Sequence, residues 1–244
     1  MVRTRDQRPA NVAYYARNRS TEIARVRGRQ DANLTLLREL REGPCADCGR
    51  TFESYQMDFD HRHPAAKSFR LTSPTGLGSS RERLLAEVAK CDVVCAVCHR
   101  IRTRARHQER LGTRTSAGVS PGLDRRRNRW RHHARVLDEL RNVPCADCGE
   151  TFPPCAMDFD HREAADKRSG VTRMIGRAGL GTILAEAAKC DIVCANCHRA
   201  RTIRRRESTS RAGVAQLVER RPSKPNVAGS NPVSRSKPSF GAAE

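Results

Sequence analysis

The chain contains one motif twice, and each copy carries two Cys-x-x-Cys pairs. The first copy (44–103) reads PCADCG, then MDFDHR, then CDVVCAVCHRIRT, and the second copy (144–202) reads PCADCG, MDFDHR and CDIVCANCHRART. Residues 45–61 recur 100 positions later, whereas residues 91–99 recur 99 positions later, so the intervening loop has lost one residue. Halves that keep their internal spacing while the loop between them varies indicate that the halves meet in space.

Cysteine usage favours structural metal over disulfides. Hydrophobic residues make up 37% of the 244 residues and aromatics only 4%. A copy of about 60 residues with this composition buries little apolar surface and usually needs disulfides or a metal. We find no leader peptide and no long apolar run, so we expect a cytoplasmic protein with reduced thiols. Of the 11 cysteines, eight fall into four Cys-x-x-Cys pairs, and each pair can supply two corners of a tetrahedral zinc site.

We therefore predict two structural Zn²⁺ ions, one in each copy. The predicted ligands are Cys45, Cys48, Cys95 and Cys98 in the first copy and Cys145, Cys148, Cys194 and Cys197 in the second. Redox-active pairs are the alternative interpretation. Two further cysteines that recur, Cys91 and Cys190, are either additional ligands or small core residues.

Each copy also places an Asp-His pair between its cysteine pairs and a histidine directly after its last cysteine. Closure of the zinc sites would bring Asp60 and His61 near His99 in the first copy. Their counterparts in the second copy are Asp160, His161 and His198. A carboxylate oxygen and an imidazole nitrogen can hold a divalent ion, and a neutral histidine can take a proton from water near neutral pH. A capping or core role for each histidine is the alternative.

The order Cys-x-x-Cys, DFDHR, Cys-x-x-Cys-His-Arg resembles the zinc-knuckle branch of the HNH endonuclease family. The resemblance implies a ββα-metal fold and metal-assisted hydrolysis of phosphodiester bonds. It places His61 and His161 as general bases that deprotonate water. It also implies that Asp60 with His99, and Asp160 with His198, hold one catalytic divalent ion in each copy, Mg²⁺ or Mn²⁺, which stabilises the leaving oxygen.

The family's middle residue, usually Asn, has no counterpart in this sequence. Lys90-Cys91-Asp92 and Lys189-Cys190-Asp191 stand at the nearest positions. Asp92 and Asp191 are the candidate substitutes. Because the missing residue orients the base or helps to hold the ion, a non-catalytic zinc-knuckle protein that binds nucleic acid is the alternative to an endonuclease.

The net charge of +20 indicates a polyanionic partner, and we expect DNA, possibly also RNA. The residues predicted to contact phosphates are Arg62, Lys67, Arg100, Arg102, Arg162, Lys167, Arg199 and Arg201. Some of these residues could instead form only a solvated basic face. A zinc-built adaptor for other proteins is disfavoured by the charge and by the few aromatic anchors. We infer neither a membrane association nor an obligate protein partner.

The predicted fold is small α+β and zinc-stabilised, with two tandem ββα-metal units and flanking helices. We expect a basic arm or helix at 1–30, the first unit at 31–109, a flexible linker at 110–124, the second unit at 125–206 and a disordered tail at 207–244. Within the first unit we expect helices at 31–42 and 81–90, a basic helix from His99, and strands at 57–61 and near 67–71. The tail resembles the translated D-arm and T-arm of a transfer RNA gene, at 214–219 and 229–232, so we assign it no function.

Overall fold

The computed structural model describes residues 7–112 and 121–219, which form eight helices and two antiparallel two-stranded sheets. The first repeat comprises α1 (Gln7–Glu39), β1 (Met57–His61), α2 (Pro74–Leu77), α3 (Arg81–Val88), β2 (Cys91–Cys95) and α4 (Ala96–Gly112). The second comprises α5 (Pro121–Leu140), β3 (Met157–His161), α6 (Val171–Met174), α7 (Leu180–Ala187), β4 (Cys190–Cys194) and α8 (Ala195–Glu219). The expected small α+β fold and its tandem arrangement are confirmed.

The predicted helix at 31–42 is the end of a longer helix that includes much of the predicted basic arm. Helix α1 starts at Gln7 and has non-helical backbone at Asn18, with φ −110° and ψ 15°. Only its last turns are anchored, because Leu36 and Leu37 are buried there. After the helix, Gly43 takes φ +119°, a conformation that glycine adopts without steric cost, and Pro44 follows. Residues 1–6 of the predicted arm lie outside the described residues.

Each repeat is built on a hairpin followed directly by a helix. Strand β1 pairs antiparallel with β2, so that Met57 lies opposite Cys95 and His61 lies opposite Cys91. The strand predicted at 57–61 and the helix predicted at 81–90 are confirmed. The second strand predicted near 67–71 is wrong, because that segment is irregular and β1 takes its partner from 91–95. The resulting order is strand, long insertion, strand and helix.

The two repeats share one apolar core. Buried Met57 and Val94 of the first repeat belong to the same cluster as buried Met157 and Val193 of the second. Burying one such side chain fully contributes about 1.5–3 kcal/mol. A further small core lies in each repeat, around Leu84 in the first and around Ile183 in the second. Neither repeat therefore completes its core alone.

Polar contacts also join the repeats. The Gln56 side chain donates to the Asn196 carbonyl oxygen at 3.1 Å, and the Val97 amide donates to the Asn196 side chain at 3.4 Å. Residues through Ile203 accordingly form one compact unit, and the rest of α8 belongs to a second unit. The two predicted units at 31–109 and 125–206 thus contact each other directly. Most of the predicted linker, residues 113–120, lies outside the described residues.

The start of the predicted tail falls within α8, which continues to Glu219. Residues 220–244 lie outside the described residues, and with them the T-arm resemblance. Among the described helices, none combines the length and the apolar character needed to cross a bilayer.

Candidate metal and catalytic centres

The eight predicted zinc ligands meet in two clusters of four. Cys45 and Cys48 lie on the turn after α1, whereas Cys95 ends β2 and Cys98 lies in the first turn of α4. In each cluster, all four Sγ atoms lie within 4.8 Å of one another. Zn–S bonds of about 2.3 Å in a tetrahedron separate the sulfurs by about 3.8 Å, so the clusters are compatible with two structural zinc ions.

The electrostatics of these thiols also favour a cation. Burial raises the pKa of Cys45, but backbone N–H groups, including those of Cys48 and Cys95, lower it further, to about 7. Burial and the neighbouring Cys95 raise the pKa of Cys98. One thiolate therefore forms readily and opposes ionisation of the next. The second cluster behaves alike, since the pKa of Cys145 is lowered to about 7 despite burial, whereas burial raises that of Cys194 to about 11. Four thiolates can coexist here when a divalent cation compensates their charge.

The remaining recurrent cysteines are core residues. Cys91 packs with Leu37 and Leu84, and its thiol donates to the Glu87 carbonyl oxygen at 3.5 Å. Cys190 makes the same contact with the Glu186 carbonyl oxygen at 3.6 Å. Neither cysteine belongs to a four-cysteine cluster.

The first repeat brings Asp60 and His99 together, as the sequence predicts. Nε2 of His99 lies 3.6 Å from Oδ1 of Asp60. The other ring nitrogen, Nδ1, lies 2.8 Å from Oδ2 of Asp58. Burial raises the pKa of Asp58, but hydrogen bonds from His99 and Arg199 lower it further, to about 2. Because an ionised carboxylate only accepts hydrogen bonds, Nδ1 donates to Asp58, and Nε2 is the ring nitrogen that faces Asp60.

His61 is held by a carboxylate that lies far away in the sequence. Its Nε2 is 2.8 Å from Oε1 of Glu87, and both side chains are buried. Oε1 also accepts the amide of Ser68 at 2.8 Å, and Oε2 accepts Nζ of Lys90 at 2.6 Å. Burial raises the pKa of Glu87, but Lys90 and His61 lower it by more, so the carboxylate is ionised. Nε2 of His61 therefore donates to Glu87, and Nδ1 is the ring nitrogen left with a lone pair.

The second repeat reproduces these distances. His161 lies 2.9 Å from Glu186, and Nδ1 of His198 lies 2.8 Å from Asp158. Nε2 of His198 lies 3.5 Å from Oδ1 of Asp160. The local sequence explains the agreement, because both copies place MDFDH on the first strand of the hairpin and Cys-His in the first turn of the following helix.

Arginines surround the acidic side of the first centre. Arg106 binds both oxygens of Asp60 at 2.8 Å, and Arg102 contacts the same carboxylate at 3.2 Å. Arg102 also binds Asp92 at 2.9 Å. The candidate substitute Asp92 therefore pairs with arginine and does not contact His61. Glu87, which was not among the site residues predicted from the sequence, holds His61.

Each centre is also contacted by the opposite repeat. Arg199 of the second repeat binds Asp58 at 2.7 and 3.1 Å, and Arg100 of the first repeat binds Asp158 at 2.7 Å. These two aspartates are the partners of the Nδ1 atoms of His99 and His198. The two centres are thus connected across the shared core through one arginine in each direction.

Most of the predicted phosphate ligands already bind protein groups. Arg62 donates to the Cys91 carbonyl oxygen at 2.9 Å and to the Ala89 carbonyl oxygen, and Arg162 repeats this pattern in the second copy. Arg201 binds Asp147, Asp160 and Asp191, as Arg102 binds their counterparts. Lys67 and Lys167 are exposed. Phosphate binding by the eight residues stays a prediction.

A cavity of about 790 Å³ opens onto the first centre. Its walls include Asp60, His61 and His99 together with basic side chains, namely Arg41, Lys67 and Arg70. Arg41 stacks over Phe59 at 5.2 Å, and its Nε is buried without a hydrogen-bond partner. A buried guanidinium nitrogen without an acceptor is rare in folded proteins.

Comparison with known proteins gives no relative: no family model, no curated protein and no solved structure matches this chain. The centres are therefore interpreted from their own residues. Signals for the missed residues existed in the sequence. Asp58 alternates with Asp60 on one strand, and Glu87 lies three residues after Leu84 on the apolar side of its helix.

Proposed function

We propose that the protein is a metal-dependent endonuclease of the HNH type, with two centres that hydrolyse phosphodiester bonds of DNA. The observation that carries the proposal is the duplicated arrangement of a buried His–Glu pair beside an Asp–His pair. In the first repeat these pairs are His61 with Glu87 and Asp60 with His99. The fold supports the proposal, because the order of hairpin and helix is that of a ββα-metal unit.

His61 is the proposed general base. Its hydrogen bond to Glu87 fixes the ring and its tautomer, so that Nδ1 is the basic nitrogen. Since His61 lines the cavity, a water molecule there can lose a proton to Nδ1 as it attacks phosphorus. Glu87 thus performs the orienting task for which the sequence offered no Asn, and Glu186 does the same for His161.

Asp60 and His99 are the proposed ligands of the catalytic ion. Two ligands at about 2.1 Å from an ion lie about 3 Å apart in an octahedral arrangement, so a separation of 3.6 Å requires only a small adjustment. A carboxylate oxygen and an imidazole nitrogen suit Mn²⁺, and also Mg²⁺ when water completes the shell. The ion would stabilise negative charge on the phosphate and the leaving oxygen.

The substrate contacts follow from the basic wall of the same cavity. Lys67 and Arg70 have no acidic partner among the described side chains. These groups can bind phosphate oxygens without first breaking an ion pair. The net charge of +20 supports a nucleic acid as the partner.

Nicking of a supercoiled plasmid tests the proposal. Wild-type protein should convert the plasmid to nicked and linear forms with Mg²⁺ or Mn²⁺, and EDTA added immediately before the reaction should prevent it. The double variant His61→Ala, His161→Ala should still retain zinc and bind DNA but leave the plasmid intact. Cleavage by the double variant at the wild-type rate would refute the assignment of the bases.

A non-catalytic zinc-knuckle protein that binds nucleic acid is the second candidate. One observation favours it: Arg106 and Arg102 already occupy the oxygens of Asp60 and would compete with an ion. This candidate predicts DNA binding with no metal-dependent nicking, so the plasmid assay separates the two functions.

A further inference from the structure

A second large cavity lies in the second repeat, between helix α5 and the segment around α6. Its volume is about 680 Å³, within the range of about 300–1,000 Å³ found for ligand clefts. Its walls contain Trp130 and four arginines, Arg126, Arg127, Arg173 and Arg177. None of these residues belongs to either candidate centre, so the mechanism proposed above leaves this cavity without a role.

Trp130 is the only tryptophan of the chain, and it is 51% exposed. Its position is nevertheless fixed. A Cβ atom at Gly176 would lie only 3.2 Å from Cδ1 of the indole, so the ring packs directly on the backbone there. Gly176 takes φ +73°, a conformation and a contact that a larger residue would disturb. The result is an aromatic ring that packs on the backbone at Gly176 and has half of its surface open to a ligand.

The four arginines of this cavity have no acidic partner in the part of the chain whose side chains the structure describes. They make no ion pair with any of the described side chains, unlike Arg102, which binds three aspartates beside the first centre. Arg126 and Arg127 lie four and three residues before Trp130, so they lie on the same side of α5 as the ring. Four guanidinium groups around an aromatic ring fit a ligand that combines phosphates with a flat base.

The first repeat lacks this arrangement. The residues 100 positions before Arg126, Arg127 and Trp130 are Val26, Arg27 and Gln30, so one arginine recurs and the ring does not. Gln30 instead donates to the Pro74 carbonyl oxygen at 3.3 Å, which ties α1 to its loop. The aromatic ring is therefore not required by the repeated fold, and it belongs to the second repeat alone.

We propose that this cavity binds an unpaired segment of DNA, with one base stacked on Trp130 and neighbouring phosphates bound by the arginines. The base must be unpaired, because both faces of a base inside a duplex are covered by its neighbours. The inference rests on the proposed function only for nucleic acid as the partner, and it does not require cleavage. It makes the protein asymmetric, with two similar centres and one site for a single strand in the second repeat.

Fluorescence of Trp130 tests the site directly, since no other tryptophan contributes. The zinc-loaded full chain is titrated with a thymidine oligonucleotide, a blunt duplex and an RNA oligonucleotide, each of equal length. A stacked base quenches indole emission, so we expect strong quenching by single-stranded DNA and little by the duplex. Unchanged emission at saturation, judged by anisotropy of a labelled oligonucleotide, would overturn the proposal. Tighter binding and stronger quenching by RNA would overturn the choice of DNA.

Matched variants separate stacking from general charge. Trp130→Ala should weaken binding of single-stranded DNA between about 5- and 150-fold, and Trp130→Phe should recover much of the loss. Gln30→Ala, the matched change in the first repeat, should alter affinity less than about twofold. Equal losses for Trp130→Ala and Gln30→Ala would refute the site. Arg173→Ala, which leaves the packing of the ring intact, should weaken binding with a smaller salt dependence, and no change in that variant would also count against the site.

The double variant His61→Ala, His161→Ala keeps this test independent of catalysis. It should show the same quenching as wild type. If single-stranded DNA quenched the emission but neither wild type nor any variant nicked the plasmid, the proposed endonuclease would be refuted and the single-strand site supported. Nicking by wild type without quenching would refute the site alone.

Discussion

Glu87 provides the sharpest test of how the first centre is held together. Its buried carboxylate accepts hydrogen bonds from His61 at 2.8 Å, Ser68 at 2.8 Å and Lys90 at 2.6 Å. Glu87→Gln keeps the shape of the side chain but removes its negative charge. It also replaces one acceptor oxygen with an amide NH₂ group, which cannot accept the hydrogen bonds that these donors offer. Hydrogen bonds to a charged group contribute about 1.5–3 kcal/mol, so we expect a loss of about that size in the free energy of unfolding. Urea denaturation at fixed free zinc measures it.

Two controls accompany this variant. Glu186→Gln, the matched change in the second repeat, should also lower the stability, because Glu186 makes the same contacts with His161 and Lys189. Glu82→Gln changes an exposed glutamate in the first turn of α3 and should cost less than about 1 kcal/mol. If Glu87→Gln were as mild as Glu82→Gln, Glu87 would not hold His61, and the orientation of the base would need another explanation.

The same carboxylate gives stability a defined pH dependence. Burial raises the pKa of Glu87, but Lys90 and His61 lower it by more, so the folded pKa lies below the ordinary value of 4.5. A lowered acid pKa contributes stability that is fully present above pH 4.5 and is lost as the pH falls below it. The stability difference between wild type and Glu87→Gln should therefore shrink on acidification below pH 4.5.

Three further predictions follow from the metal clusters, the charge and the contact between repeats. Metal analysis of the purified protein should give two zinc ions per chain, and Cys45→Ser should reduce the count to one; a wild-type count near zero would contradict both clusters. DNA affinity should fall at least tenfold between 50 and 200 mM salt, and an affinity insensitive to salt would count against phosphate contacts. Arg199→Ala should cost about 1 kcal/mol of stability, more than Arg104→Ala, because only Arg199 binds Asp58 across the repeats.

The local parts of both repeats could be predicted from the sequence. The two Cys-x-x-Cys pairs of each repeat predict its cysteine cluster. A tetrahedral zinc site requires four ligands, and each pair supplies two of them. The alternation in MDFDH predicts β1, and the leucine spacing at 81–90 predicts α3. The proximity of Asp60 and His99 also follows from the sequence, because closing the cysteine cluster fixes the strand that carries Asp60 against the helix that carries His99.

The contacts between distant segments could not be predicted. The sequence predicts a second strand near 67–71, yet the hairpin closes with 91–95, directly beside the cysteine pair. Glu87 lies 26 residues from His61, and no spacing rule connects a helix residue with a strand end across an irregular loop. The shared core depends on complementary surfaces of two repeats, which a pattern within one repeat does not describe.

Product analysis of the single variants tests the central claim, two working centres in one compact body. A ββα-metal centre has one base and cuts one strand per engagement. With a supercoiled plasmid and Mn²⁺, wild type should give linear DNA through paired cuts. His61→Ala and His161→Ala should each accumulate nicked circles, because the remaining histidine cuts one strand, and the double variant should give neither product. If one single variant were inert and the other formed linear DNA like wild type, only one centre would be catalytic and the account of two would be contradicted.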